Sequence, residues 1–268
     1  MKVMNDTTAE VIADSCVDGG RRLTTMVLRF PRFLLPQFNT HRMFSRNTAS
    51  SRAIPTEKLI ARVRDYPVLP TYIGKNQPGM SASETIAEMG QLRAIAAIRE
   101  LAEITSQYVT ELSRLGVHKQ TANRYLEPFL MSTVIVTATE WDNFFALRLH
   151  HSTQPEMQDL AKVMKSALDA STPKETNEGW HLPFGDRIKT TNGMEMLYIA
   201  AARCARVSYE THGGDTDEAK DLDLARRLKA DGHWSPFEHI AYPALPSGMV
   251  SGNLKGWDTL RSMIEGRR

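Results

Sequence analysis

Between Ser81 and Leu115 the chain carries no proline, and apolar residues return at helical spacing through Ile86, Met89, Leu92, Ile95, Ala96, Ile98, Leu101 and Ile104. That period predicts one long helix with room for a single break. Ser81 and Glu84 have the spacing of a capping box at its start, and Gly116 supplies a C-terminal stop. The preferred reading is a core scaffold helix.

Upstream, Ala9 to Val17 and Leu23 to Phe30 alternate in part between apolar and polar, and Asp18-Gly19-Gly20 between them favours a tight turn. A β-hairpin is expected. Pro67, Pro70, Gly74 and Pro78 mark a surface loop, preceded by a short helix near Glu57 to Arg64. After the polar segment His118 to Pro128, the β-branched run Ser132 to Thr139 predicts a strand. Trp141 to Arg148 follows, and Pro155 opens a helix through Leu168. Ser171 to Thr191 reads as loop, Gly193 to Ala202 as helix, Gly213-Gly214 as a turn and Asp217 to Ala230 as helix. At 268 residues, 41% of them apolar, the chain can bury one substantial core. Residues 1–268 are read as a single domain of the α/β (α+β) class, a mixed sheet with long helices.

Charge and cysteine content narrow the function classes. The 33 basic and 31 acidic residues leave a net charge of +2, which gives no global attraction to nucleic acid or to a membrane. Any anion site must come from local clustering. The two cysteines, Cys16 and Cys204, form neither a disulfide framework nor a metal-ligand spacing. His150-His151 and the pair His233 and His239 also lack zinc spacing, so packing histidines are expected and no metal. No signal core and no run near the about 18 apolar residues of a membrane span are found, so a cytoplasmic protein is expected.

The local cluster lies between Gln37 and Arg52, where one His, three Arg and three Ser share sixteen positions. Arg suits two-pronged contacts with phosphate, and Ser, Thr, Asn and Gln supply further donors. Composition alone leaves a solvated basic loop as the competing reading. Within it, His41-Arg42, any seven residues and Ser50 resemble the Arg-His-Arg, any seven, Ser signature of the flavin-dependent thymidylate synthases. Arg124 with Pro128 four residues on resembles a phosphate contact of that family. Asn143-Phe144-Phe145-Ala146-Leu147-Arg148 and Gln154-Pro155-Glu156-Met157-Gln158 are similar to its pyrimidine-contacting region. Ala205-Arg206-Val207-Ser208-Tyr209 and the segment His233 to His239 resemble its flavin-side segments. In the family those two segments precede the His-Arg motif, whereas here they follow it. The chain therefore resembles a circular permutation of that fold, which would bring Tyr242 close to Thr24.

The resemblance implies conversion of dUMP to dTMP, with methylenetetrahydrofolate as carbon donor and NADPH-reduced FAD as reductant. It also implies a homotetramer with FAD sites between subunits. Carried over residue by residue, Arg52 and Arg124 grip the nucleotide phosphate, and Gln37, Thr40, Thr48, Ser50 and Ser51 lie on the nucleotide side. Arg148 stabilises charge developing on the pyrimidine, with Ser50 a positioning hydroxyl beside it. His41, Arg42, Asn143, Ser208, His233, Ser235 and Glu238 face the flavin, with helix capping an alternative for Glu238. Thr40 and Thr48 stand where the family has Arg and Glu, and Thr137 to Glu140 lacks its flavin-side Asn-x-Arg. Those departures admit a C5-methyl- or hydroxymethyltransferase acting on dCMP or UMP, or a flavin-free nucleotide-binding protein. Cys204 sits in an apolar stretch and is expected to be an inert buried thiol. The tail from Pro246 to Arg268 is read as a surface closing segment.

Overall fold

The computed structural model describes residues 6–17, 21–176, 179–209, 217–244 and 253–266. In chain order, strands β1 (Thr8–Cys16) and β2 (Leu23–Pro31) are followed by a helical turn α1 (Leu35–Asn39), β3 (Ser45–Thr48) and α2 (Thr56–Asp65). Helices α3 (Glu88–Arg114) and α4 (Lys119–Ala122) lead to β4 (Met131–Ala138). Then come α5 (Asp142–Arg148), α6 (Pro155–Ala170), β5 (Lys174–Glu175), α7 (Gly193–Arg206) and α8 (Glu218–Ala230). The described chain ends with β6 (Ala241–Pro243), β7 (Trp257–Thr259) and α9 (Leu260–Ile264).

The main sheet is five-stranded and mixed, in the order β3-β4-β2-β1-β5. Neighbours pair antiparallel except β1 and β5, which run parallel. The expected hairpin is therefore present, and its Asp18-Gly19-Gly20 turn lies outside the described residues, as does Gly213-Gly214. Strand alternation gives the sheet two apolar faces. Met26, Leu28 and Phe30 of β2 and Val134, Val136 and Ala138 of β4 pack under α5 and α6 with Phe144, Met157, Leu160 and Met164. On the opposite face Ile135 packs with Leu197, Ala200, Ala201 and Cys204 of α7, Ala225 of α8 and Phe237. Cys204 is fully buried and its thiol is pushed up by desolvation, as an inert packing residue would be. Asp221 ties the second layer together, accepting from Arg203 Nε at 3.2 Å and Arg206 Nε at 2.6 Å.

The same face buries a polar chain. Ser15 Oγ lies 2.9 Å from His181 Nδ1, His181 Nε2 lies 2.7 Å from Thr25 Oγ1, and Thr25 Oγ1 lies 2.6 Å from Thr137 Oγ1. Thr137 Oγ1 in turn lies 2.8 Å from His239 Nδ1. Thr25 and Thr137 are directly opposed across β2 and β4, which aligns their hydroxyls. His181 and His239 are both fully buried, and desolvation holds each pKa down to about 3. Both are neutral core histidines.

Three expectations need correction. The long helix starts at Glu88, not Ser81, because residues 73–86 fold back as an extended pair: Lys75 N donates to Glu84 O and Ile86 N to Ile73 O. Those bonds commit Glu84 O and Ile86 N to the extended pair instead of to a helix begun at Ser81, and the Glu84 carboxylate pairs with Lys75. Gly116 does end the helix, at φ 79°. The helix is also not buried scaffold. Only Ala102, Ser106 and Val109 are buried, against α2 and residues 122–130, while Met89, Leu92, Leu101 and Ile104 are exposed. Finally, residues 253–266 of the tail are no surface closure: β7 pairs with β6, and Trp257 is 0% exposed and donates from Nε1 to Arg21 O at 3.0 Å. Leu23, Ala241, Leu254 and Trp257 form one cluster, so residues flanking Thr24 and Tyr242 pack together across the chain.

Candidate functional site

The Gln37 to Arg52 stretch is structured: α1, a loop through residues 40–44, edge strand β3 and a 3₁₀ turn at Ser51–Ala53. Four aromatic rings fix the loop to the core. Phe38, Phe44 and Phe144 lie within 6.0 Å of one another by ring centroids, and Phe44 packs on Trp141 at 4.8 Å. Arg46, which no motif singles out, ties the loop from its backbone side. Its guanidinium donates to Asn39 Oδ1, Asn39 O, His41 O and Phe44 O at 2.7 to 3.2 Å. Sequence alone cannot separate a carbonyl-binding Arg from its solvent-facing neighbours, because the acceptors are backbone atoms. An ammonium cannot serve four such acceptors, so Arg46→Lys should keep the fold and weaken ligand binding roughly tenfold, as measured by nucleotide titration.

The loop and the start of α5 enclose a cavity of about 510 Å³ lined by Thr40, His41, Arg42, Phe44, Thr139, Trp141, Asn143 and Arg148, among others. That size suits a small-molecule site. Arg148 Nε donates to His41 Nε2 at 2.9 Å and Nη2 donates to Thr40 Oγ1 at 3.3 Å. Thr40 Oγ1 donates onward to Gln37 O at 2.7 Å, and Gln37 Nε2 reaches Gln154 Oε1 at 2.6 Å. Desolvation, then the Arg148 and Arg46 charges, lower the His41 pKa to about 4. A neutral His41 that accepts at Nε2 carries its proton on Nδ1. Arg42 has no hydrogen-bond or ion-pair partner among the described residues. A second crevice, of about 670 Å³ between β1 and residues 174–186, holds none of the residues singled out in the sequence.

The remaining candidates lie in two other clusters. Around Glu127, Ser51 Oγ donates at 2.5 Å, Arg124 Nη1 at 2.9 Å, and Arg32 Nη2 pairs at 3.1 Å. Desolvation raises the Glu127 pKa, but Ser51, Arg32 and Arg124 outweigh it and hold it below the usual range. Ser50 N donates to Ser208 O at 3.1 Å, which joins the turn after α7 to this cluster, and Arg52 is exposed beside Ser51. Thr48 is on β3 opposite Val134. His233 and Ser235 are exposed, and Glu238 is paired with Arg261 at 2.5 Å; none of the three lines the cavity. Thr40, His41, Arg42, Asn143 and Arg148 are thus brought together, while Ser50, Ser51, Arg52, Arg124, Ser208, His233, Ser235 and Glu238 are not in that wall. Sequence reasoning missed Arg46 and Glu127, which position the others.

A family model described as thymidylate synthase complementing protein matches residues 22–174, more than half of the chain. The chain belongs to that family. The matched part runs from β2 to the start of β5 and contains the whole wall of the cavity. Among solved structures, the UMP/dUMP methylase PolB from Streptomyces cacaoi bound with 5-Br UMP is similar at 17% identity over 61% of this chain and 89% of that one, TM-score 0.53. The same methylase bound with 5-Br dUMP is similar at 15% identity over 63% and 92%, TM-score 0.51. Thymidylate synthase X from Helicobacter pylori with FAD and dUMP matches at 18% identity over 55% and 67%, TM-score 0.37. No curated protein matches the sequence. The PolB likeness is one of fold.

The donor set fits a phosphate-bearing ring system such as a nucleotide or FAD. Arg42 and Arg148 offer cations, Phe44, Phe144 and Trp141 offer apolar faces, and two buried polar atoms of the wall are without partners among the described residues. No three His, Cys, Asp or Glu side chains gather as metal ligands among the described residues, and no described helix is long and apolar enough to cross a membrane.

Proposed function

We propose that the chain is a methyltransferase that adds a one-carbon unit at C5 of a pyrimidine nucleotide, converting dUMP to dTMP. The observation that carries this reading is the guanidinium of Arg148, fixed by neutral His41 and by Thr40 on the wall of a cavity built from the family's matched segment. Methylenetetrahydrofolate would supply the carbon, and FAD, reduced by NADPH and held by the residues assigned to the flavin side, would supply the electrons that take methylene to methyl.

The chain's own residues bind and orient. Arg148 offsets negative charge that develops on the pyrimidine, and His41 holds the guanidinium by accepting from Nε. Arg52 and Arg124 neutralise the nucleotide phosphate, Gln37, Ser50 and Ser51 orient the nucleotide, and Arg42, Asn143, Ser208, His233, Ser235 and Glu238 are assigned to the flavin side. Because Arg52 and Arg124 stand apart from the cavity wall, they serve a site completed by a second copy in a homotetramer. The exposed face of α3, with Leu101 54% and Tyr108 71% accessible, supplies apolar surface for such an assembly.

Thr40 favours a second reading, a C5-methyl- or hydroxymethyltransferase for UMP or dCMP, because its hydroxyl is committed to Gln37 O and Arg148 where the resemblance expects a cation. Incubation with FAD, NADPH, methylenetetrahydrofolate and dUMP, UMP or dCMP, followed by mass spectrometry, tests both. Methylated dUMP is the expected product. Turnover confined to UMP or dCMP replaces the first reading with the second, and a protein that binds no FAD and alters none of the nucleotides sinks both.

A further inference from the structure

Two polar groups in the cavity wall are left over by the bonding of the described residues. The Trp141 Nε1–H and the Thr139 hydroxyl are buried, and neither meets a hydrogen-bond partner among the described residues. Both side chains line the cavity that holds His41 and Arg148. Buried polar groups in folded proteins are nearly always paired, so two orphans on one cavity wall call for a partner from outside the chain.

The described side chains beside them do not supply it. Glu140, between the two, is held by Arg21 and by Lys255. Thr137 is committed to Thr25 and His239. The body of Trp141 is packed against Phe44 and Phe145, which fixes the ring and leaves its polar atom as the group still to be satisfied.

The chemistry of the pair limits what completes it. An indole N–H only donates, so the ligand must bring an acceptor; a threonine hydroxyl accepts as well as donates. Phosphate is the poorer match, because the wall around Trp141 is aromatic and Arg42 and Arg148 are the groups suited to negative charge. A flat ring with a carbonyl beside an N–H fits better.

Resting on the reading that this cavity takes a nucleotide-type ligand, we propose that Trp141 and Thr139 read the imide edge of the bound ring. Trp141 Nε1–H donates to the C4 carbonyl oxygen of the ring, and Thr139 Oγ1 accepts from the neighbouring N3–H. Uracil and the isoalloxazine of a flavin share that edge. Cytosine does not, since it presents an amino group and an unprotonated ring nitrogen there.

Indole N–H resonances test the assignment directly. The chain has four tryptophans, and Trp141→Phe identifies which peak belongs to Trp141. The full-length protein is titrated separately with FAD, dUMP, UMP and dCMP, with calorimetry recording binding in each case. The Trp141 peak is expected to move downfield with an imide ligand: a shift with FAD names the flavin as occupant, and a shift with dUMP or UMP names the substrate base. Trp141→Phe and Thr139→Val, both folded by circular dichroism, should each weaken that ligand about tenfold. If an imide ligand binds while the Trp141 peak stays in place, or if dCMP moves it equally, the assignment is overturned and the proposed function still stands. If none of the four binds, both fall together.

Discussion

Replacing Arg148 with alanine is expected to cut turnover by about a hundredfold to a thousandfold while leaving the fold intact, the usual loss when a fixed charge-stabilising donor is removed from a site. Arg148 ends the short helix α5, whose Phe144 and Phe145 anchor it in the core, so truncating the partly exposed side chain removes little packing. Two of its nitrogens are spent on position, Nε on His41 and Nη2 on Thr40. Nη1 has no partner among the described residues and is the group left for ligand. The loss should therefore fall mainly on kcat, with KM moving less, because the charge that Arg148 meets grows only as the reaction proceeds. Arg148→Lys should not restore activity, since the single nitrogen of an ammonium lacks the planar fork that spans His41 and Thr40 with two nitrogens and turns a third towards ligand. Wild-type kcat in the alanine variant, with circular dichroism unchanged, would remove Arg148 from the mechanism and with it the observation on which the proposed activity stands.

What the sequence made legible follows from which interactions are local. β-Branched Ser132 to Thr139 and the alternation in Leu23 to Phe30 identified β4 and β2, because strand patterning is written into each segment. The start of α3 was misplaced because the bonds that unmake a Ser81 cap come from residues 73 and 75, which no local window weighs. The burial of α3 was misread for a related reason: an apolar stripe records that a surface wants covering and is silent on whether this chain or another covers it. At the site, His41, Arg42, Asn143 and Arg148 were found by motif spacing. Arg46, Glu127, Thr139 and Trp141 were not, since their importance lies in backbone acceptors, in shared partners and in the lack of a partner, all properties of the folded chain. Trp257 shows the limit most plainly: a tail residue in a glycine-rich setting, it is fully buried against Leu23 and Ala241.

Lowering the pH from 7 to 5 is expected to remove up to about 4 kcal/mol of stability through His181 and His239 alone. Both imidazoles are fully buried on the α7 face of the sheet and bonded to hydroxyls of Ser15, Thr25 and Thr137. Desolvation holds each folded pKa at about 3, below the 6.5 of an exposed imidazole. Between those values the unfolded chain binds protons that the folded chain refuses. The stabilisation is therefore complete above about pH 6.5 and is lost as the pH falls towards 3, at about 1.4 kcal/mol per pH unit for each group. At pH 5 that is about 2 kcal/mol per histidine. His41, lowered to about 4, loses stability over the same window and in the same direction. Domains of this size are stable by about 5–15 kcal/mol, so the change is large enough to shift a urea midpoint visibly. Urea unfolding at pH 7, 6 and 5 measures it. His181→Gln should be less stable than the parent at pH 7, because the bonds to Ser15 and Thr25 are disturbed, yet it should lose less on going to pH 5, having one fewer proton to take up on unfolding. Stability that stays level between pH 7 and 5 would mean that the two core imidazoles are not held neutral, and the hydroxyl-imidazole chain across β2 and β4 would then have to contain a charge.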